Sequence, residues 1–479
     1  MNNQENDPGI SAETPEAALD TSAELQDLDT KSVVKPREKI GFLVNSVFFQ
    51  EAMQTIDSYA LYFYTDIMKI TAGVAGTIGM VVTVWDAIND PLIGHWTVNH
   101  KFKNGESVRP HLLYNAVPFA IFFILCWLAP NVPMAVKVIY AILTRCILSV
   151  FSTILNIPKN TMPFLASPYK RDRLSMGQMN STGTLIGLSL SVIGCYPLVA
   201  LFGGGTDANG TAIHEARGFL LASILFGLLA VGGFIFYYFT SKERVLDNKP
   251  EEKISLKKSS LLLIRDKNWV QITLLNFFIA ITDTSCLAVM TYYCKYIIGN
   301  TMFAAFAFGS LLIGGALATA FLCKPILRRY GTKGLALVTG LVVVVGHSMM
   351  LISPASKVFI LVAGVMQGVK VGLSQALIPM LYGYVGDIAA YNQDGKRMDG
   401  MVTTVSNFFK KAGYALVSFL IGICLEFSKY DGNLAVQPDS AISMLKIMMI
   451  WVPIVTGVIV VLYANTVKIE ENAKKLGLA

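Results

Sequence analysis

From residue 40 onward, long apolar runs alternate with short polar connections. The runs extend over roughly twenty residues without the two-residue alternation of a barrel strand, so each reads as a helix that crosses a membrane. A bilayer offers the backbone no hydrogen-bond partners, and a helix supplies its own. The pattern predicts helices at 40–65, 72–99, 110–129, 133–160, 174–203 and 216–241, then at 268–298, 302–324, 334–353, 356–387, 399–428 and 441–466. The charged stretch 242–266 separates six from six. Residues 1–36 are polar and lack aromatic side chains, a composition that buries too little apolar surface to offset ordering entropy and so predicts disorder. The expected organisation is a tail (1–36), a bundle (37–241), a central loop (242–266), a second bundle (267–466) and a tail (467–479). The fold class is an all-α membrane protein with twelve transmembrane helices in two six-helix bundles.

Composition agrees with lipid as the main solvent: 53% of residues are hydrophobic and 15% charged, with mean hydropathy +0.53. Soluble domains carry about 25% charged residues. The net charge of +7 comes from basic clusters between apolar runs, a topology signal rather than a phosphate-binding stripe, so no nucleic-acid partner is expected. Lys101, Lys103, Arg109, Lys170, Arg171, Arg173, Lys324, Arg328, Arg329, Lys333, Lys396 and Arg397 fall in one set of loops. Both termini and the central loop are therefore expected on the cytoplasmic side of the cell membrane, which requires an even number of spans. The acidic, polar start has no signal-peptide pattern. The seven cysteines all fall in predicted helices without metal-ligand spacing and read as packing residues. No nucleophile–base constellation stands out, so no enzyme and no cofactor are expected. Asn209-Gly210-Thr211 is a weak glycosylation motif in a predicted outer loop. The basic segments 99–110 and 324–334 are expected to form loops that contact one another when the cytoplasmic side closes.

The candidate chemistry centres on Trp85-Asp86-Ala87-Ile88-Asn89-Asp90-Pro91 in the second helix. Asp86 and Asp90 lie at i and i+4 and share a face, with Asn89 beside Asp86 at i+3. Two carboxylates inside a membrane helix are costly unless paired, protonated or solvated. Pro91 is expected to loosen the helix and free a carbonyl oxygen. Clustered oxygens suit a hard cation such as sodium, bound by Asp86 and Asp90, whereas a proton needs one carboxylate of raised pKa. The alternative is an interfacial acid pair held by loop arginines.

Asp86 to Pro91, followed by Gly94, Asn99, Gly105 and Arg109-Pro110, resembles the glycoside–pentoside–hexuronide:cation symporters, a family with the major facilitator fold. Tyr62-Phe63-Tyr64-Thr65-Asp66, Asn156-Ile157-Pro158 and Asn407-Phe408-Phe409-Lys410-Lys411 fit the same pattern, and the resemblance extends from residue 40 over the rest of the chain. It implies symport of a sugar, glycoside, pentoside or hexuronide with Na+ or H+. It also implies a cation site of Asp86, Asn89, Asp90 and Thr153, with Lys411 as the intramembrane base that couples cation and sugar sites. The neighbouring Lys410 is the alternative in register, unless it reaches out to the interface. The family's galactoside branch has acids where Gln50 and Asn156 stand here, and an aromatic where Asn160 stands, so galactoside specificity does not carry over.

Gln50, Gln54 and Asp57 follow helical spacing on one face of the first helix, and amides both donate to and accept from hydroxyls. Tyr59 and Tyr62 are candidates to stack on a sugar ring. Arg145, Lys159, Asp283 and Lys370 are further ionisable groups within predicted helices. If Arg145 and Lys159 both faced a cavity, an anionic substrate such as a uronide would fit. The partners expected are a small carbohydrate and membrane lipid, with the protein a monomer. The rival readings are a cation-independent facilitator, a carrier of another solute on the same fold, or a membrane sugar sensor.

Overall fold

The computed structural model describes residues 31–103, 105–245, 266–391, 399–434 and 436–476. The N-terminal tail expected to be disordered and most of the central loop lie outside the described residues. Apart from a bridge between Thr206 and Ala212, the regular structure described is helical. In chain order the main helices are α1 (Pro36–Tyr62), α2 (Ala72–Asn99), α3 (Ala116–Leu125), α4 (Met134–Ala166), α5 (Lys170–Ser189) and α6 (Glu215–Thr240). They continue with α7 (Lys267–Tyr293), α8 (Phe303–Leu317), α9 (Cys323–Met349), α10 (Lys357–Tyr391), α11 (Asp399–Phe427) and α12 (Val452–Ala464). Nine helices among the described residues are long and apolar enough to cross a membrane. α1 falls outside that group because Asn45, Gln50, Glu51, Gln54 and Asp57 interrupt its apolar character, and the third segment (His111–Leu125) because it is short.

Two boundaries differ most from expectation: α4 runs on to Ala166 instead of ending at 160, and a second lies in the other half. The basic run Lys324–Tyr330 is helical, and a single apolar stretch, Phe303–Met349, contains two predicted spans. The break between them is a bend at Gly331 (φ 65°, ψ −164°). Positive φ disfavours a side chain there, and a Cβ would also come within 2.8 Å of the Glu470 carboxylate. That carboxylate accepts from the Thr332 backbone and hydroxyl, so the bend is tied to the C-terminal helix Ile469–Lys475. The other basic loop docks within its own half. Glu243 accepts from the backbone N–H groups of Ser107 and Val108, and the Arg109 guanidinium covers the Tyr238 ring.

The helices pair mainly within each half of the chain: α1 with α5 and α6, α2 with α4, α8 and α9 with α10, and α7 with α11 and α12. Aromatic packing fills the first half, with Trp127 stacked on Phe219 (5.2 Å) and Phe63 edge-on to both rings. The halves meet chiefly where α2 packs on α11. There a Cβ on Gly76 would meet the Cα of Gly422 at 2.8 Å, so glycine on both helices sets how closely the backbones approach. The first helix of each half ends alike. α1 passes into a π turn (Phe63–Ile67), and α7 does the same (Cys294–Ile298).

Candidate functional site

Asp86 and Asp90 project from one face of α2 onto the ammonium of Lys411, which α11 carries from the other half of the chain. Lys411 Nζ donates to Asp86 Oδ2 and to Asp90 Oδ2. The remaining carboxylate oxygens are met from α4. Ser149 Oγ donates to Asp86 Oδ1 (2.6 Å), and Thr153 Oγ1 donates to Asp90 Oδ1 (2.8 Å). Asn89 Nδ2 in turn donates to Thr153 Oγ1 (3.3 Å). The Trp85 indole N–H donates to the Cys146 carbonyl (3.0 Å) and pins α2 to α4 just ahead of the pair. Pro91 lies inside α2 and has no N–H to give to the preceding turn. Lys410, by contrast, reaches the Tyr414 ring (5.6 Å).

The charge count gives this cluster its chemistry. Two carboxylates share one ammonium, which leaves one negative charge among oxygens of Asp86, Asp90, Ser149 and Thr153. Those are hard ligands of the kind that hold alkali and alkaline-earth cations. The side chains of Lys411 and Asp86 are each 28% exposed, so the cluster is paired but reachable from solvent.

Asp86 and Lys411 line a cavity of about 570 Å³ between the two halves. α1 contributes Gln54 and Asp57, α4 contributes Arg145, Ser149 and Ser152, and the second half contributes Asp283, Gln367, Gln375 and Tyr414. Asp57, five residues before the end of α1, exposes its side chain to the cavity that it lines. Gln54 is buried and donates to Ser58 Oγ (3.1 Å).

The other expected substrate residues lie elsewhere. Asn156 and Asn160 continue the α4 face of Ser149 and Ser152 for one and two turns beyond the lined part, and both are exposed. Gln50 is one turn from Gln54 but stands against Gly187 of α5. Tyr59 is fully buried, stacked on Tyr196 (6.4 Å) and edge-on to Phe308 (6.0 Å). Two residues beyond Asp57 is about half a turn, which sends Tyr59 into the aromatic core instead of the cavity. Lys159 lies over Phe49 (5.5 Å) and is buried, so the two cations considered for an anionic substrate do not share the cavity.

Sequence reasoning missed the seam that closes one end. Asp66, in the π turn after α1, accepts at Oδ1 from Lys295 Nζ (2.7 Å) and Tyr296 OH (2.8 Å). Its Oδ2 accepts from Tyr430 OH (2.6 Å) and Thr65 Oγ1 (2.7 Å). Lys295 also donates to Tyr62 OH (3.1 Å), which donates to Glu215 (2.7 Å). Lys69 Nζ caps the Gly432 carbonyl (2.6 Å), and the Asn209–Thr211 loop bonds Thr301 from the opposite half. These bonds all lie on the Asp66 side of the cavity. That end is shut.

A charged cluster and a cavity between two helical halves, sealed at one end, are the arrangement of a membrane carrier of the alternating-access kind. Residues 41–471 match the family described as MFS/sugar transport protein, and the chain belongs to that family. It is 28% identical over 449 residues to the isoprimeverose transporter of Lactiplantibacillus pentosus, covering 92% of this chain and 91% of that one. With the inner membrane symporter YicJ of Escherichia coli it shares 30% identity over 431 residues, covering 88% and 89% of the two chains. Among solved structures, a bacterial homologue of the human lysosomal transporter Spinster, inward-facing and unoccupied, superposes with TM-score 0.64 at 14% identity. The superposition covers 90% of this chain and 96% of that one, and it shows the fold.

Proposed function

We propose that this protein is a cation-coupled sugar symporter of the cell membrane, with twelve transmembrane helices in bundles 37–241 and 267–466 and both termini cytoplasmic. The Asp66 end is then extracellular, and the cavity opens to the cytoplasm. The observation that carries the reading is Lys411 held between Asp86 and Asp90, an ammonium from one bundle occupying the acids of the other. A sodium ion or a proton arriving at Asp86 and Asp90 takes over the role of the ammonium, with Ser149 and Thr153 supplying further oxygens. Lys411 is then free to turn into the cavity it already lines and to donate to a sugar oxygen. Cation binding thereby creates a donor that the sugar uses, and by linkage the sugar raises cation affinity by the same factor.

The cavity fits such a cargo, since small-molecule sites run to about 300–1,000 Å³. Gln54, Asp57 and Arg145 offer donors and acceptors from the first bundle. The family match, a relative named for isoprimeverose and another named a symporter support a glycoside or pentoside as the solute.

Gradient-driven uptake in proteoliposomes tests this reading. A panel of radiolabelled glycosides should accumulate in response to an inward sodium or proton gradient, and Asp90→Cys should abolish the stimulation. Stimulation that persists in Asp90→Cys, or uptake indifferent to either gradient, would overturn the assignment.

A further inference from the structure

The second bundle brings its own polar cluster to the cavity, about which the cation site says nothing. Lys370 of α10 is 2% exposed, and its Nζ donates to Asp283 Oδ1 of α7 (2.6 Å) and to the Ile279 carbonyl (2.8 Å). Gln367, one turn earlier on α10 and also 2% exposed, donates from Nε2 to the same Asp283 Oδ1 (3.0 Å). Both donors converge on one carboxylate oxygen. Among the described residues nothing donates to Asp283 Oδ2, and Gln367 Oε1 is buried without a partner. Asp283 and Gln367 both line the cavity.

A buried acceptor left unpaired costs stability, and such a group in a native protein calls for an explanation. Here Gln367 Oε1 is such a group, and it lies on a side chain bonded to Asp283, which is 24% exposed and keeps Oδ2 free for a donor. We infer that Asp283 and Gln367 form a second-bundle subsite that accepts hydrogen bonds from two hydroxyl groups of the sugar; the inference rests on the symport reading above.

The chemistry selects the ligand. Lys370 already balances the Asp283 charge, so a second cation there would face its ammonium at close range. Neutral O–H donors meet no such penalty. The amide orientation of Gln367 is fixed, because a carboxylate accepts only from its Nε2, and this leaves Oε1 as the acceptor without a partner. Two adjacent acceptors match a polyol with neighbouring hydroxyls and reject an analogue that lacks one of them. Lys370 is a positioning residue: its ammonium fixes Asp283 Oδ1 without reaching the cavity, which leaves Oδ2 as the acceptor. With Gln54, Asp57 and Arg145 on the opposite wall, a sugar bound here touches both bundles and couples closure of the cavity to its own presence.

The test compares wild type with Gln367→Ala, which leaves the Asp283–Lys370 pair in place. The probes are the methyl glycosides of xylose, glucose, galactose and glucuronic acid with their monodeoxy analogues, assayed by sodium- or proton-driven uptake in proteoliposomes. In wild type, removal of one particular hydroxyl should raise KM about tenfold, because an acceptor of the site then lacks its donor. Gln367→Ala should raise KM for the parent glycoside to a similar extent and lose discrimination at that one hydroxyl, while cation binding without sugar keeps its wild-type affinity. Unchanged parent-to-deoxy ratios in Gln367→Ala would overturn the subsite. Loss of sugar-free cation binding in that variant would mark Gln367 as structural and overturn it too. A wild type that takes up none of the glycosides under either gradient removes the symport reading, and the subsite with it.

Discussion

At the residue scale, the account turns on how Asp86 and Asp90 share one ammonium. Each carboxylate has an oxygen on Lys411 and the other on a hydroxyl of α4, so the pair is satisfied but short of one positive charge. Ser149→Ala should weaken cation binding about tenfold, since hydrogen bonds to charged groups contribute about 1.5–3 kcal/mol, and a cation titration of purified protein by calorimetry reads it directly. An unchanged titration would remove Ser149 from the site. Lys411→Gln removes the competing ammonium, so cation affinity should rise while sugar binding ceases to respond to the cation. Much of this was legible because it is local. The i, i+4 spacing placed both acids on one face without knowledge of the fold, and resemblance pointed to Thr153 and Lys411. Ser149, one turn before Thr153 on the same face, was not singled out, because a serine in a helix that can bond its own backbone carries no distinctive signal. Asn156 and Asn160 show the reverse problem: a helical face says which side a residue takes, but not at what depth the cavity ends.

At the element scale, two features hold the observed state: the close α2–α11 contact at Gly76 and Gly422, and the π turns that end α1 and α7. The turns bring Asp66 and Lys295 together across the halves, with the Asp66 side chain fully buried and that of Lys295 20% exposed. Removing one partner of a buried pair costs about 3–5 kcal/mol, here charged to the state in which the seam is shut. Lys295→Met should therefore shift the population toward opening at the Asp66 end. Spin-label distances between the loops after α1 and α7 should lengthen, and an unaltered distribution would contradict the role of the seam. Most helix positions were legible from hydropathy, because lipid imposes the pattern. The bend at Gly331 was not: Lys324–Tyr330 is too basic to read as apolar helix, yet it stays helical until the glycine turns the chain. Asp66 and Lys295 lie 229 positions apart, and nothing local announced the pair.

At the scale of the whole molecule, the proposed symport makes the acidic pair with Lys411, the cavity and the seam one device. Lys411 belongs to the second half and its acids to the first, so a cation at Asp86 and Asp90 would compete with a contact that joins the two. Coupling free energies between sites are about 1–3 kcal/mol, or roughly 5–150-fold in affinity. The measurement that tests this most directly is a reciprocal titration of purified protein: sugar affinity with and without the cation, and cation affinity with and without sugar, in wild type and Asp90→Asn. The account predicts that each ligand strengthens the other by the same factor in wild type, and that the factor collapses to one in Asp90→Asn. Sugar affinity that is the same with and without the cation in wild type, or coupling that survives in Asp90→Asn, would contradict it.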